Sequence, residues 1–195
     1  MTEESKLIAI AKHQTEIMKL VGLDVTDPAI IETPKRIAKL LVNDLFWGID
    51  EDKKPHMKTF PNDHDYDQML IQKDIVVQSV CEHHFVPFIG VAHVAYIPKE
   101  SIVGLSKIIR LVDYYARRPQ VQERLTQQIA KAMQEALGTE NVAVVIEAKH
   151  LCYTIRGIKD HSSNTSTSYL GGVFTRQEVR AEFFNHINKP SNGNL

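Results

Sequence analysis

The sequence lacks several features that would point directly to a class of protein. It has two cysteines in 195 residues, no apolar run of membrane-spanning length, and a net charge of −1. A membrane-spanning helix needs about 20 mostly apolar residues. The nearly balanced charge provides no general attraction to nucleic acid or to an anionic membrane. We therefore expect neither as a partner, and any site for an anion must be a local cluster of cations.

The start of the chain has no apolar targeting segment, since residues 1–6 are polar and acidic apart from Met1. We therefore expect a cytoplasmic protein, whose two thiols stay reduced rather than forming a structural disulfide. The chain is 43% hydrophobic and 24% charged, which is ordinary for a globular protein. Its length is sufficient to bury a core without disulfides.

Apolar spacing and turn residues divide the chain into four parts. Residues 1–48 predict an N-terminal helical hairpin, whose second helix has Thr33 as its N-cap and Pro34 at its first position. Residues 49–73 are polar and are expected to form a linker or loop. Residues 74–188 are expected to form the main domain, and residues 189–195 a disordered tail.

The main domain combines both kinds of element. Strands are expected at 75–80, 88–97 and 141–149, and an extended segment at 152–155. Helices are expected before Pro119 and over 120–137, where apolar residues recur at helical spacing. A capping box at 175–178 predicts one more helix. This order indicates an α+β fold with an antiparallel sheet.

Both cysteines lie in segments that also contain histidine, Cys81-Glu82-His83-His84 and His150-Leu151-Cys152. Thiolate and imidazole are ligands that Zn²⁺ prefers, and three protein ligands with one open position are typical of catalytic zinc. Adjacent residues of an extended chain point to opposite sides, so one of the two neighbouring histidines is expected to bind metal. The other, together with His150, is a candidate for proton transfer. Alternatively, the cysteines are small buried residues and His150 only orients a ligand.

Two polar groups on the expected helices are candidates for binding a nucleotide, and each also has a simpler explanation. Ser106, Lys107 and Arg110 lie near a helix start, where a phosphate chain could bind, although a solvated basic edge would look the same. Gln122 and Glu123 begin the long helix. Glu123 could simply complement the helix dipole. It could also accept two parallel N–H bonds from the edge of guanine.

Seven motifs, in order from about residue 29 to residue 184, resemble the GTP cyclohydrolase I family. They are Glu-Thr-Pro-x-Arg at 32–36, Cys-Glu-His-His at 81–84, Gly-Leu-Ser-Lys-x-x-Arg at 104–110, Gln-Glu-Arg-Leu-Thr at 122–126, His-x-Cys at 150–152, Arg-Gly at 156–157, and Ser-Tyr-Leu-Gly-Gly at 168–172. Residues 153–155 and 160–164 depart mildly from the family pattern, and neither segment includes a residue assigned to chemistry.

The resemblance implies a tunnelling fold, with a four-stranded antiparallel sheet and two helices packed on one side. It implies a homodecamer of two pentamers, with active sites where subunits meet. It also implies the conversion of GTP to formate and 7,8-dihydroneopterin triphosphate, in which zinc-activated water attacks C8 of guanine. The roles it implies are zinc ligation by Cys81, His84 and Cys152, catalysis by His83 and His150, guanine binding by Gln122 and Glu123, and triphosphate or ribose binding by Ser106, Lys107, Arg110, Arg156 and Arg36.

Two other interpretations make different predictions. Another tunnelling-fold enzyme acting on a pterin or deazapurine would have a different ligand set or a cysteine nucleophile. A non-catalytic, zinc-stabilised nucleotide-binding module would have a fourth protein ligand and no turnover.

Overall fold

The structure is a computed structural model that describes residues 2–189. Its α-helices are α1 (Glu3–Leu20), α2 (Thr33–Lys39), α3 (Leu105–Ala116), α4 (Gln122–Leu137), α5 (Leu151–Thr154) and α6 (Gln177–Asn188). Its strands are β1 (Thr59–Pro61), β2 (Leu70–Cys81), β3 (Pro87–Tyr96), β4 (Ser101–Val103), β5 (Pro119–Gln120), β6 (Val142–His150) and β7 (Thr165–Leu170). Within residues 2–189, no helix is long and apolar enough to cross a membrane.

The main sheet is built from four antiparallel strands in the order β2-β3-β6-β7. The short β5 joins it in parallel beside the end of β2, where Cys81 lies opposite Gln120. This topology confirms the predicted α+β fold and adds a fifth strand that the sequence did not reveal. Because β5 leads directly into α4, the first turn of α4 starts next to the end of β2.

Helices α3 and α4 pack against one face of this sheet and form the main core with it. The predicted apolar positions of α4 are buried, namely Leu125, Ile129, Met133 and Leu137. Gly138 ends the helix in the left-handed conformation at φ 63°, which glycine adopts without a Cβ clash. The helical spacing in the sequence therefore predicted the correct inward face.

The face of the main sheet opposite α3 and α4 is partly covered by α6 and the turn before it. Phe174 and Phe183 pack there in a second core with residues of β3 and β6. The nearly continuous apolar sequence of β3 is typical of a strand that is buried on both faces. Residues 92–96 are indeed buried, whereas Ile89, nearer the other end, is 49% exposed. The second core thus shields only one end of the strand.

The N-terminal helices α1 and α2 pack against each other, as the predicted hairpin requires. Thr33 is the first residue of α2 rather than its N-cap, because Glu32 occupies that position without a side-chain capping bond. The apolar stripe after α2 continues into a π-helical turn over Leu40–Leu45 instead of an α-helix.

Three local predictions were wrong because pairing or packing overrode the local sequence. The expected linker contains β1, which pairs with β4, and β2 begins at Leu70. The expected extended segment after Cys152 is the helical turn α5. The capping box does not form, since Thr175 Oγ1 donates to Gly172 O and Arg176 occupies the N-cap. Of the expected disordered tail, residues 190–195 lie outside the described residues.

Candidate active site

The Cys-Glu-His-His motif forms the end of β2 and the turn that leads into β3. The N–H of Cys81 donates to Val86 O at 3.0 Å, and the N–H of Phe85 donates to Cys81 O at 2.9 Å. Phe85 adopts φ 53°, a left-handed conformation that closes this turn. His83 and His84 therefore lie on a turn, and the assumption of an extended chain was wrong.

Three of the candidate ligands converge. Cys81, His84 and Cys152 each offer one ligand atom, and these atoms all lie within 4.8 Å of one another. Cys81 comes from β2, His84 from the turn and Cys152 from α5. His83 is not in this group, although its Nδ1 atom is 3.7 Å from Cys81 Sγ. The tertiary structure thus separates the two neighbouring histidines.

The chemistry of this group suits a borderline-soft cation such as Zn²⁺, which binds thiolate sulfur and imidazole nitrogen. Burial, followed by the neighbouring Cys81 thiol, raises the pKa of Cys152. A bound dication would reverse that effect, since it favours the deprotonated thiol. Cys81 is buried and His84 is exposed, so the group is accessible from the histidine side.

His150 ends β6 and is held beside this group by two contacts. Its ring stacks on Phe88, with centroids 4.6 Å apart and planes inclined by 11°. Its Nε2 atom is 2.7 Å from Gln122 Oε1. Burial lowers the pKa of His150, while the negative charge of Glu123 acts in the opposite direction. The imidazole is therefore favoured in its neutral form, which can accept a proton.

Gln122 and Glu123 begin α4 but differ in exposure. Gln122 is 1% exposed, and its amide nitrogen donates to Ile146 O at 2.9 Å and Thr165 O at 3.0 Å. This differs from the expectation that its side chain binds guanine directly. Glu123, the next residue, is exposed, and its negative charge acts on the pKa of His150.

Of the residues expected to bind the triphosphate or ribose, Arg156 contacts the candidate metal ligands. Arg156 Nη1 donates to His84 Nε2 at 2.5 Å, which places this guanidinium directly at the candidate ligands. Ser106 and Arg110 are exposed in the first turns of α3, on either side of the half-buried Lys107. Arg36 is exposed on α2, and within residues 2–189 no hydrogen bond or ion pair links it to the site.

Sequence reasoning missed the contacts that support the turn. Arg124 forms an ion pair with Glu82 and donates through Nε to Gln120 Oε1 at 2.9 Å. The N–H of Glu82 also donates to Gln120 O at 2.9 Å. These bonds fasten the turn to β5 and α4. Glu82 lies within the recognised motif, but its partner is 42 residues away, and no local pattern identifies it.

Two thiols and an imidazole around one position, with a second histidine held beside them, have the ligand arrangement of a metal-dependent enzyme. The α+β sheet provides the scaffold on which β2, α4 and β6 bring these groups together. Residues 10–188 match the family model described as GTP cyclohydrolase I. The chain belongs to the GTP cyclohydrolase I family.

Individual relatives cover nearly the whole chain. A protein named GTP cyclohydrolase 1 from Flavobacterium johnsoniae is 50% identical over 187 residues, which is 96% of this chain and 84% of the relative. The protein of the same name from Citrobacter koseri is 50% identical over 188 residues, or 96% of this chain and 85% of the relative. That from Edwardsiella ictaluri is 48% identical over 188 residues, with 96% and 86% covered.

Proposed function

We propose that this protein is a GTP cyclohydrolase I, which converts GTP and water to formate and 7,8-dihydroneopterin triphosphate. This reaction is the first step of pterin and folate biosynthesis. The observation that carries the proposal is the convergence of Cys81, His84 and Cys152 beside His150, in a chain that matches this family over residues 10–188.

We infer that the metal is zinc and that Cys81, His84 and Cys152 hold it. The donor set supports this inference, because two sulfurs and one imidazole match zinc better than magnesium or calcium, which prefer oxygen. When bound through three protein ligands, zinc acts as a Lewis acid that lowers the pKa of a water molecule to about 7. A structural zinc would need a fourth protein ligand, and the group found among residues 2–189 has three.

His150 would exchange a proton with N7 of guanine, which makes the neighbouring C8 electrophilic. Its stacking on Phe88 and its bond to Gln122 fix the ring, which is the condition for efficient proton transfer. His83 is the second proton-transfer group in the proposal. Its side chain is 63% exposed next to the candidate ligands, so it is accessible to a substrate.

Different residues are proposed to bind the guanine base and the ribose and triphosphate of GTP. The Glu123 carboxylate would accept the N1–H and 2-amino hydrogens of guanine. Arg156 lies at the candidate ligands and would bind the ribose or triphosphate. The same role is proposed for Ser106, Lys107, Arg110 and Arg36. These cations would orient the far end of the substrate while the chemistry takes place at the base.

A decamer of two pentamers, with active sites between subunits, is proposed for the assembly. In such an assembly Arg36, which is exposed on α2, would bind substrate held by a neighbouring chain. Exposed apolar side chains at the end of α1 are also consistent with a subunit contact, because Ile17 is 52% and Leu20 is 87% exposed.

We also propose that the catalytic unit extends from the start of β2 at Leu70 to residue 188, with residues 1–48 as an appendage. A cytoplasmic location is proposed because the thiolate ligands require a compartment that keeps them reduced.

The decisive experiment measures zinc per chain and formate released from GTP with the same purified sample. We expect bound zinc and release of formate together with a fluorescent pterin after oxidation. Removal of zinc by a chelator should abolish release, and re-addition should restore it. Zinc-loaded protein that binds GTP but releases no formate would contradict the proposed function.

A further inference from the structure

We propose that Gln122 is a positioning residue for His150. Its amide holds the imidazole as the Nε2–H tautomer, so that proton exchange with the substrate takes place at Nδ1. This inference rests on the proposed function, because it assumes that His150 transfers protons. It assigns Gln122 a task different from the direct guanine contact expected from the sequence.

The orientation of the Gln122 amide is fixed by the backbone around it. The amide nitrogen lies 2.9 Å from Ile146 O on β6 and 3.0 Å from Thr165 O on β7. It also lies 3.1 Å from Thr167 Oγ1. Carbonyl oxygens only accept hydrogen bonds, so the NH₂ group must face them. The reversed amide would place an oxygen against two carbonyl oxygens and lose these bonds inside the protein.

The orientation of the amide determines the tautomer of His150. Gln122 Oε1 only accepts, and it is 2.7 Å from His150 Nε2. The hydrogen of the neutral imidazole must therefore be on Nε2, and the free lone pair is on Nδ1. A backbone arrangement in β6 and β7 thus selects the nitrogen atom that can take up a proton from the substrate and return it.

Stacking and hydrogen bonding restrict the ring in complementary ways. Phe88 is fully buried and stacks on one side of His150, which fixes the plane of the imidazole. The ring of Tyr153 is also nearly parallel to it, at 6.1 Å between centroids and 19° between planes. Stacking alone leaves a 180° flip about the Cβ–Cγ bond open, because the flipped ring lies in the same plane. The bond from Nε2 to Gln122 excludes the flipped ring, which would present a carbon there, and so fixes the position of Nδ1.

Burial excludes a direct contact between the Gln122 amide and a substrate. The residue is 1% exposed, and its amide nitrogen and oxygen both already have protein partners. Thr126 and Thr167, whose hydroxyls are 2.7 Å apart, close the space next to it. A role in catalysis must therefore pass through His150.

The main test replaces Gln122 by methionine, which keeps the length of the side chain but cannot accept from Nε2. We expect kcat to fall by about 10- to 100-fold, since small errors in the position of a catalytic group have effects of this size. Zinc content should be unchanged, and KM for GTP should stay within about two-fold because ground-state binding is untouched. Gln127→Met is the matched control, because Gln127 is exposed on the same helix and should leave kcat unchanged.

A raised KM with normal kcat in Gln122→Met would overturn the proposal and favour direct binding of the base. The double variant with His150→Ala provides a second criterion. If Gln122 acts only through His150, then Gln122→Met should not lower the residual kcat of the His150→Ala protein further. Additive losses would show a separate role for Gln122 and refute the positioning role.

Nitrogen-15 NMR of the zinc-loaded wild-type protein tests the tautomer even if Gln122→Met fails to fold. The His150 signals can be identified by their absence from a His150→Gln sample. We expect the neutral ring to carry its hydrogen on Nε2, and a hydrogen on Nδ1 would overturn the proposal. This measurement does not depend on turnover. An inactive protein with the expected tautomer would refute the proposed function, but it would leave intact the inference that Gln122 positions the His150 imidazole.

Discussion

Replacing His93 by asparagine should remove part of the acid sensitivity of the fold. His93 lies in β3, is 4% exposed, and accepts the N–H of Asp74 on Nδ1 at 3.2 Å. Asp74 has φ 58° and lies where the pairing of β2 with β3 is irregular. A left-handed conformation of a residue other than glycine costs roughly 1–3 kcal/mol. The neutral histidine thus stabilises a strained point of the main sheet.

The sign of the pH dependence follows from the environment of the imidazole. Burial lowers the pKa of His93, and Lys73 acts in the same direction, whereas Asp74 and Glu147 raise it. Burial is the largest effect, so the pKa of the folded state lies below the unfolded value of about 6.5. As the pH falls through 6.5, the unfolded chain takes up this proton first. The stabilisation is therefore fully present above about pH 6.5 and decreases below it, by at most about 1.4 kcal/mol per pH unit for one group.

Urea unfolding between about pH 5 and 8, after removal of metal with a chelator, measures this effect. In His93→Asn the side-chain oxygen can still accept from Asp74 but does not titrate, so its stability should decrease less steeply below pH 6.5 than that of the wild type. His93→Leu offers no acceptor and should lose about 1–3 kcal/mol at pH 7.5. The other histidines are common to all three proteins, so the difference between the curves isolates His93. Parallel curves for the wild type and His93→Asn would refute the reasoning.

Three further predictions concern the candidate active site. Cys152→Ala should lose zinc and formate release together, with metal affinity reduced by more than about 10²-fold, since even a residue outside the ligand sphere contributes 10- to 100-fold; retained zinc with full activity would contradict the ligand assignment. His150→Ala should keep its zinc while kcat falls by about 10²–10⁴-fold, the usual contribution of a proton-transfer group; a normal kcat in steady-state assays would exclude that role. Glu123→Ala should reduce the preference for GTP over ATP in kcat/KM by about 10- to 100-fold, because hydrogen bonds to a charged group contribute about 1.5–3 kcal/mol. Glu123→Gln, which keeps the size, should lose less, and an unchanged preference in both variants would remove the role in guanine recognition.

The fold could be predicted from the sequence where a local pattern determines it. The inward face of α4 follows from apolar residues three and four apart, and Gly138 marks its end. The linker prediction missed β1 because its three residues are stabilised by pairing with β4, which is distant in sequence. The helical turn after β6 was missed for a related reason, since four residues are too few to show a period.

The metal-binding residues of the candidate site could also be predicted from the sequence. Both cysteines and three of the nine histidines lie in two short segments, and this fact alone indicated a metal. The supporting contacts were not available, because Arg124 reaches Glu82 across 42 residues and Phe88 reaches His150 across two paired strands. Such contacts depend on how the strands pair, and the identities of the contacting residues do not reveal that register.

The sequence by itself determined the kind of chemistry, because thiol and imidazole side chains bind soft cations wherever the fold places them. It also determined the family, through motifs that keep their order along the chain. Only the tertiary structure decided which histidine joins the thiols, since the turn after β2 directs His84 and not His83 toward Cys152. It likewise placed the Gln122 amide inside the protein beside His150, because the carbonyl oxygens of β6 and β7 bind the amide nitrogen. Residue type sets what a side chain can do, and the surrounding backbone sets which partner it meets.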